Sequence, residues 1–155
     1  MRLPLRSCSR TGARSLMLAL LCVGLAFADT SRVHKGTNPV KAVYQIDGGD
    51  EQALRALRNI RNHREADPTA RIVVVALGAG VDFLLNGEKD AGGYPFELIV
   101  QDLIEHGVKF EVCVNTLDSR HLEQSRFIEG ISFVPSGFAE LARLQAKEGF
   151  AYLKP

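Results

Sequence analysis

The chain has 155 residues, of which 46% are hydrophobic, with 19 Lys and Arg against 18 Asp and Glu and no Trp. This length suits one domain with a substantial core. The balanced charge, the lack of a basic stripe and the scarcity of aromatic residues argue against nucleic acid as a partner.

The first 28 residues have the layout of a signal peptide. Four arginines and no acidic residue precede an uncharged stretch, residues 15–28, which ends in the cleavage pattern Ala26-Phe27-Ala28. These fourteen residues are fewer than the roughly 20 that a membrane-spanning helix needs. We therefore expect cleavage after Ala28, export to the periplasm, and no membrane anchor in the mature chain.

The mature chain has a net charge of −3, from 15 Lys and Arg against 18 Asp and Glu, and a single cysteine, Cys113. A lone thiol cannot form an internal disulfide, yet export would place it where thiols tend to be oxidised. Two interpretations stay open: Cys113 is buried and inert, or it reacts with another molecule. Residues 29–39 are polar and are predicted to form a flexible lead-in to one domain over residues 40–155.

Strands and helices alternate along this domain. The predicted strands cover residues 40–46, 72–77, 108–115, 131–134 and 150–153. The predicted helices cover residues 50–63, 95–106, 117–127 and 137–148, with Gly107 ending the second and Ser136 capping the last. Short connections imply right-handed crossovers, so we expect an α/β fold: a three-layer sandwich with a mostly parallel sheet of about five strands.

Small or polar residues follow four of the predicted strands, at the edge where parallel sheets bind ligands. These strand ends are Asp47-Gly48-Gly49, Gly78-Ala79-Gly80, Asn115-Thr116 and Pro135-Ser136-Gly137. Period-two alternation places Cys113 on the same strand face as Glu111 and Asn115. The sequence therefore predicts a pocket at this edge, with Cys113 two residues from it.

A helix that begins just after Cys113 would favour its thiolate form. Thr116 or Asp118 is the predicted cap of that helix, whose N–H groups and partial positive charge would lower the pKa of the thiol. Arg120 and His121 would add positive charge. The opposing interpretation is that a cysteine inside an apolar strand is a small core residue, and burial would raise its pKa.

Other motifs give no support for a cofactor or a metal. Gly78-x-Gly80-x-x-Phe83 is an incomplete dinucleotide-binding fingerprint, and the two glycines are better explained by a tight turn at the pocket edge. Asp47 and Asp50 match no Ca²⁺ loop spacing. The four histidines show no zinc-binding spacing. We expect no cofactor and no metal.

Two stretches resemble the DsrE/DsrF-like sulfur-relay family. His106-Gly107-Val108 is followed five residues later by Cys113-Val114 and then by a polar helix start with Arg120. Outside this segment, the chain is similar to a secreted branch of the family in Asn59-Ile60, in residues 78–85 and in residues 144–152. The resemblance spans residues 40–155 and implies a DsrE-like (YchN-like) fold, a persulfide on the cysteine, and a trimer or hexamer.

The segment after Cys113 departs from the family pattern. Family members often have small residues and a double arginine there, whereas this chain has residues 115–119 and then a single arginine, Arg120. The predicted site therefore has fewer cations. Its ligand-binding residues are predicted to be Asn115, Thr116, Arg120, His121, Gly78, Gly80 and Asp47.

The leading hypothesis is an exported DsrE-like protein whose Cys113 binds or relays sulfane sulfur as a persulfide. With no second cysteine, the sulfur would have to leave to the thiol of a donor or acceptor partner protein. The alternative is a non-catalytic oligomeric module that binds a small ligand or a protein, with a structural Cys113. A redox sensor is disfavoured because no resolving cysteine exists. Whether the protein is an enzyme or a carrier stays open.

Overall fold

The computed structural model describes residues 38–155, so the predicted signal peptide and residues 29–37 of the lead-in lie outside the described part. Strands and helices alternate as expected. The strands are β1 (Lys41–Ile46), β2 (Arg71–Ala76), β3 (Lys109–Cys113), β4 (Ser132–Val134) and β5 (Ala151–Leu153). The α-helices are α1 (Asp50–Ala66), α2 (Phe96–Glu105), α3 (Val114–Arg120) and α4 (Gly137–Glu148). Two 3-10 helices span Gly78–Leu84 and Gln124–Arg126.

All five strands are parallel and form one sheet in the order β4-β3-β2-β1-β5. β2 is central and buried except for its first residue, as its unbroken apolar sequence predicts. β5 pairs with β1 at the edge of the sheet, where Ala42 is opposite Ala151. Helices cover both faces. The predicted α/β sandwich is therefore confirmed, with a sheet that is wholly parallel.

The two faces of the sheet have cores of different size. On one face, α1, α2 and the first 3-10 helix cover the larger core, in which Phe83 contacts the rings of Phe96 and Phe110. Each such fully buried ring contributes about 1.5–3 kcal/mol of hydrophobic stabilisation. On the other face, α4 covers a smaller cluster. Its members are Val43, Val73, Val75, Leu77, Cys113, Leu141, Leu144 and Phe150.

The boundary between β3 and α3 differs from the predicted one. β3 ends at Cys113, and α3 begins at Val114 instead of Leu117. The N–H of Asn115 donates to the Pro135 carbonyl at 3.3 Å, a contact between distant parts of the chain that the local pattern does not contain. Asn115 and Thr116 therefore lie in the first turn of a helix. The predicted caps, Thr116 and Asp118, are wrong, because Cys113 itself is the N-cap residue.

Candidate functional site

Cys113 lies where β3, α3 and α4 meet at the carboxyl edge of the sheet. It is the last residue of β3, opposite Val134 of β4, and the residue from which α3 starts. Gly137, the first residue of α4, packs directly on it. A Cβ atom at Gly137 would lie 3.3 Å from the Cβ of Cys113 and 3.3 Å from Cδ2 of Leu77. These contacts are tighter than most real Cβ contacts, so a larger residue at this position would require the start of α4 or its neighbours to shift.

The thiol is buried yet polarised towards its anion. Cys113 is 6% exposed. Burial raises the pKa of Cys113, but the N–H groups of Gly137, Thr116 and Asn115 and the Thr116 hydroxyl outweigh burial, and the net pKa is lower than usual. The side chain makes no capping hydrogen bond of ordinary geometry, so the N–H groups act as a cluster of nearby dipoles. Neutral donors from two helix starts thus favour the thiolate.

Thr116 connects the start of α3 to the loop after β2. Its hydroxyl oxygen accepts a hydrogen bond from the N–H of Gly78 at 3.0 Å, which leaves the hydroxyl proton free to point at the sulfur of Cys113. Gly78 has a φ of +59°, a conformation that favours glycine. The structure therefore brings the predicted residues Asn115, Thr116 and Gly78 together around Cys113.

Arg120 contacts the first 3-10 helix. One guanidinium nitrogen lies 2.7 Å from Oδ1 of Asp82, and another donates to the Gly78 carbonyl at 2.9 Å. Arg120 thus fixes the first 3-10 helix against α3. Its role in balancing charge at the thiol stays a prediction.

His121, Gly80 and Asp47 stand apart from the thiol. His121 is an exposed C-cap residue at the opposite end of α3 from Cys113, with a φ of 53°. A Cβ at Gly80 would lie 2.2 Å from the Ile46 carbonyl oxygen, so Gly80 allows the 3-10 helix to pack on the end of β1.

Asp47 belongs to a polar network that holds the C-terminal residues. It accepts hydrogen bonds from Gln45 at 2.9 Å and from Lys154 at 2.8 Å. The bond from Lys154 is the main reason that the pKa of Asp47 is lowered. Within residues 38–155 no group of three or more His, Cys, Asp or Glu side chains could hold a metal ion, and no helix could span a membrane.

Gly137 is the site residue that the sequence did not connect with Cys113. The sequence marks Pro135-Ser136-Gly137 as a strand end, but nothing in it shows that α4 begins on top of the cysteine. The available signal was the adjacency of consecutive strand ends in a parallel sheet, which would place the start of α4 beside the end of β3.

Comparisons with known proteins agree with this architecture. The sequence model of the DsrE/DsrF-like family matches residues 41–155. The solved structure of MTH1491, a protein of unknown function from Methanobacterium thermoautotrophicum, is 32% identical, with a TM-score of 0.67, over 75% of this chain and 99% of that one. The YchN protein from E. coli is 21% identical, with a TM-score of 0.65 over the same shares, and shows the fold alone. No curated protein matches the chain.

Proposed function

The chain belongs to the DsrE/DsrF-like family. Membership of this family suggests a role related to sulfur relay, and on this premise we propose that Cys113 binds sulfane sulfur as a persulfide and passes it on. One observation carries the proposal. Cys113 lies at the start of α3 with the start of α4 packed on it, and the N–H groups of these helix starts lower the pKa of its thiol despite burial. The same donors would stabilise the terminal sulfur anion of a persulfide.

Loading requires no external oxidant. The Cys113 thiolate attacks the sulfane sulfur of a donor such as a polysulfide or a persulfide. A new S–S bond forms at Sγ while the donor's own S–S bond breaks, and the donor leaves as a thiolate with the electron pair. The oxidation level of the transferred sulfur is conserved, so the donor's sulfane sulfur becomes the outer sulfur of the Cys113 persulfide.

Release follows the same chemistry in reverse and involves a second molecule. Cys113 is the only cysteine of residues 29–155, so no thiol of the same mature chain can collect the sulfur. A partner thiolate would attack the outer sulfur, and Cys113 would leave as the thiolate that its hydrogen-bond donors favour. The partner is therefore a protein or small molecule with an accessible thiol.

Export and self-association form part of the same proposal. The layout of residues 1–28 supports a signal peptide cleaved after Ala28 and a periplasmic mature protein. Assembly into a trimer or hexamer is what the family resemblance implies, and exposed apolar side chains, such as Leu98 at 55% and Phe138 at 66% exposure, are available for subunit contacts. Intact mass of the protein recovered from the periplasm tests the cleavage site, and light scattering coupled to gel filtration tests the assembly.

The decisive experiment is to incubate the purified mature protein with polysulfide and to record its intact mass. We expect the wild type to gain the mass of one sulfur atom, to lose it on addition of a low-molecular-weight thiol, and the Cys113→Ser variant to gain nothing. Absence of the adduct from the wild type, or its presence in both proteins, would contradict the proposal.

The burial of Cys113 supports a second candidate function. The thiol is 6% exposed and packs with Val75, Leu77 and Leu141 in the smaller core cluster. This is the environment of an inert core cysteine, and it fits a non-catalytic oligomeric binding module. The rate of alkylation under native conditions separates the two functions, because an inert thiol would react only after unfolding whereas a relay thiol would react in the folded protein.

A further inference from the structure

A cavity lies at the amino edge of the sheet, remote from the strand end that carries Cys113. It is bounded by the starts of β2 and β3 and by the last turns of α4, and its volume is about 150 Å³. Its charged lining residues are Arg64, Arg71, Lys109, Arg143, Glu111 and Glu148. A space of this size holds about five water molecules, so a small polar ligand fits inside.

Two buried polar atoms with no hydrogen-bond partner belong to residues that line this cavity. They are Nε of Arg64 and Oε2 of Glu111, in the part of the chain that the structure covers. Arg64 donates from Nη1 to the Ala70 carbonyl at 3.1 Å, which fixes the guanidinium in place. A buried polar atom without a hydrogen-bond partner is destabilising, and a small polar ligand in the cavity would satisfy both atoms.

The cavity is cationic although the domain is acidic. Residues 38–155 contain 13 Lys and Arg against 17 Asp and Glu. Arg143 is paired with both Glu140 and Glu148 on α4, so these three side chains together keep one negative charge. Among the described residues, Arg71 and Lys109 form no salt bridge and Arg64 has none either. These three unpaired cations exceed the negative charge of the α4 group and of Glu111, so the cavity is cationic.

Glu111 can act as a hydrogen-bond donor in this setting. Its pKa is raised to about 7, chiefly by burial and in addition by Glu140 and Glu148, while Arg143 and Lys109 act in the opposite direction. Arg64, Arg71 and His106 line the same cavity from the other elements. A carboxyl group that keeps its proton near neutral pH presents an O–H to a ligand, as a carboxylate cannot.

We propose that this cavity binds a small tetrahedral oxyanion, such as sulfate, through the buried Nε–H of Arg64 and the carboxyl group of Glu111. Arg71 and Lys109 at its mouth attract the anion and contact its outer oxygens. Because the anion stabilises the protonated form of Glu111, binding is coupled to proton uptake. The site takes no part in the proposed persulfide chemistry, because neither Cys113 nor the donors around it line the cavity.

The test uses the mature protein and sodium sulfate, followed by NMR. Saturable shifts are expected at the Arg64 Nε–H and at the Glu111 amide, with no shift at the Nε–H of Arg58, an exposed arginine of the same helix. Sodium chloride at the same ionic strength should not reproduce them. The affinity should fall about tenfold between about pH 6 and about pH 8, as Glu111 loses its proton.

Variants separate the two donors. Arg64→Ala should weaken sulfate binding about tenfold or more, the order of one charge-assisted hydrogen bond, whereas Arg58→Ala should leave it unchanged. Glu111→Gln keeps a donor and should keep the binding but lose its pH dependence. Lys109→Gln, at an exposed position, should weaken binding less and needs no repacking if Arg64→Ala fails to fold.

Three results would overturn the proposal. They are the absence of saturable shifts, equal shifts with chloride, and equal weakening by Arg58→Ala and Arg64→Ala, which would indicate general screening. A pH dependence that survives in Glu111→Gln would remove Glu111 from the site.

Discussion

Cys113 and Glu111 lie two residues apart on the same face of β3, yet the pKa of Cys113 is lowered and that of Glu111 is raised. Burial disfavours the anion of both. At Cys113, N–H groups from two helix starts and a hydroxyl outweigh burial and lower the pKa. At Glu111, one carboxylate oxygen has no donor within the described chain, and the pKa rises to about 7.

The difference shows that position on a strand does not determine the charge state of a buried acid. The supply of hydrogen-bond donors does. At the carboxyl edge of a parallel sheet, helices begin and direct N–H groups towards the strand ends, whereas at the amino edge helices end and direct carbonyl groups there. One strand can therefore favour a thiolate at one end and a protonated carboxyl group further back.

Gly137→Ala should reduce the contrast between Cys113 and Glu111 more than any other substitution considered below. The added methyl group would lie 3.3 Å from the Cβ of Cys113 and from Leu77. Displacing the start of α4 should cost about 1–3 kcal/mol of stability and raise the pKa of Cys113. Urea unfolding and the pH dependence of alkylation measure the two effects. Gly49→Ala is the matched control, because a Cβ there meets nothing within 4 Å; equal destabilisation by both variants would contradict the packing argument.

Glu111→Gln should flatten the dependence of stability on pH. The folded pKa of about 7 lies above the ordinary value of 4.5, so the folded state binds more protons between these values. The contribution of Glu111 to stability is fully present below about pH 4.5 and is lost as the pH rises through about 7, by about 1–2 kcal/mol after allowance for solvent screening of this half-buried group. Unfolding free energies of wild type and variant at about pH 5 and about pH 8 check the sign. If the free energy of unfolding of the variant falls by the same amount over this pH range, Glu111 is not the source of the pH dependence.

Thr116→Val should remove one donor from the thiol and the acceptor of the Gly78 N–H. We expect a loss of about 1 kcal/mol in stability and a higher pKa for Cys113, measured by thiolate absorbance during a pH titration. Thr116→Ser retains the hydroxyl and should behave like wild type. If Ser and Val give the same pKa, the hydroxyl does not contact the sulfur.

Arg120→Gln should have the smallest effect and the most diagnostic one. Its guanidinium pairs with Asp82 at a half-exposed position, so the cost should be about 0.5–1 kcal/mol. The pKa of Cys113 should not change in the thiolate titration. A clear rise would support the charge-balancing role that the sequence suggests.

Much of the fold was accessible from the sequence because it depends on local patterns. The apolar run of β2 predicts a central strand, Gly107 ends α2 with a φ of 83°, and Ser136 caps α4 by accepting the Ala139 N–H at 3.4 Å. Each signal is contained in a few adjacent residues. The strand-end pattern placed Cys113 near the carboxyl edge of the sheet, and the family resemblance added the expectation of a persulfide on it.

The site was predicted less completely because its contacts are long-range. The sequence Val114-Asn115-Thr116 could continue the strand. In the structure these residues are helical and are held by two long-range hydrogen bonds, from the Asn115 N–H to the Pro135 carbonyl and from the Gly78 N–H to the Thr116 hydroxyl. Arg120 is 38 residues from its partner Asp82. The residues of the amino-edge cavity come from four separate elements of the chain. The one local indication of a polar site there was Glu111, a carboxylate in the middle of β3 between two apolar residues.

The pairing of β5 with β1 has a consequence for how the chain assembles. One side of β1 has no backbone partners until Ala151–Leu153 arrives, and the hydroxyl of Tyr152 then bonds Gln45 across a separation of 107 residues. A contact between residues so far apart in sequence is entropically slow to form. The native sheet is therefore complete only after residues 151–153 have been synthesised, and loss of residues 151–155 would leave β1 as an open edge.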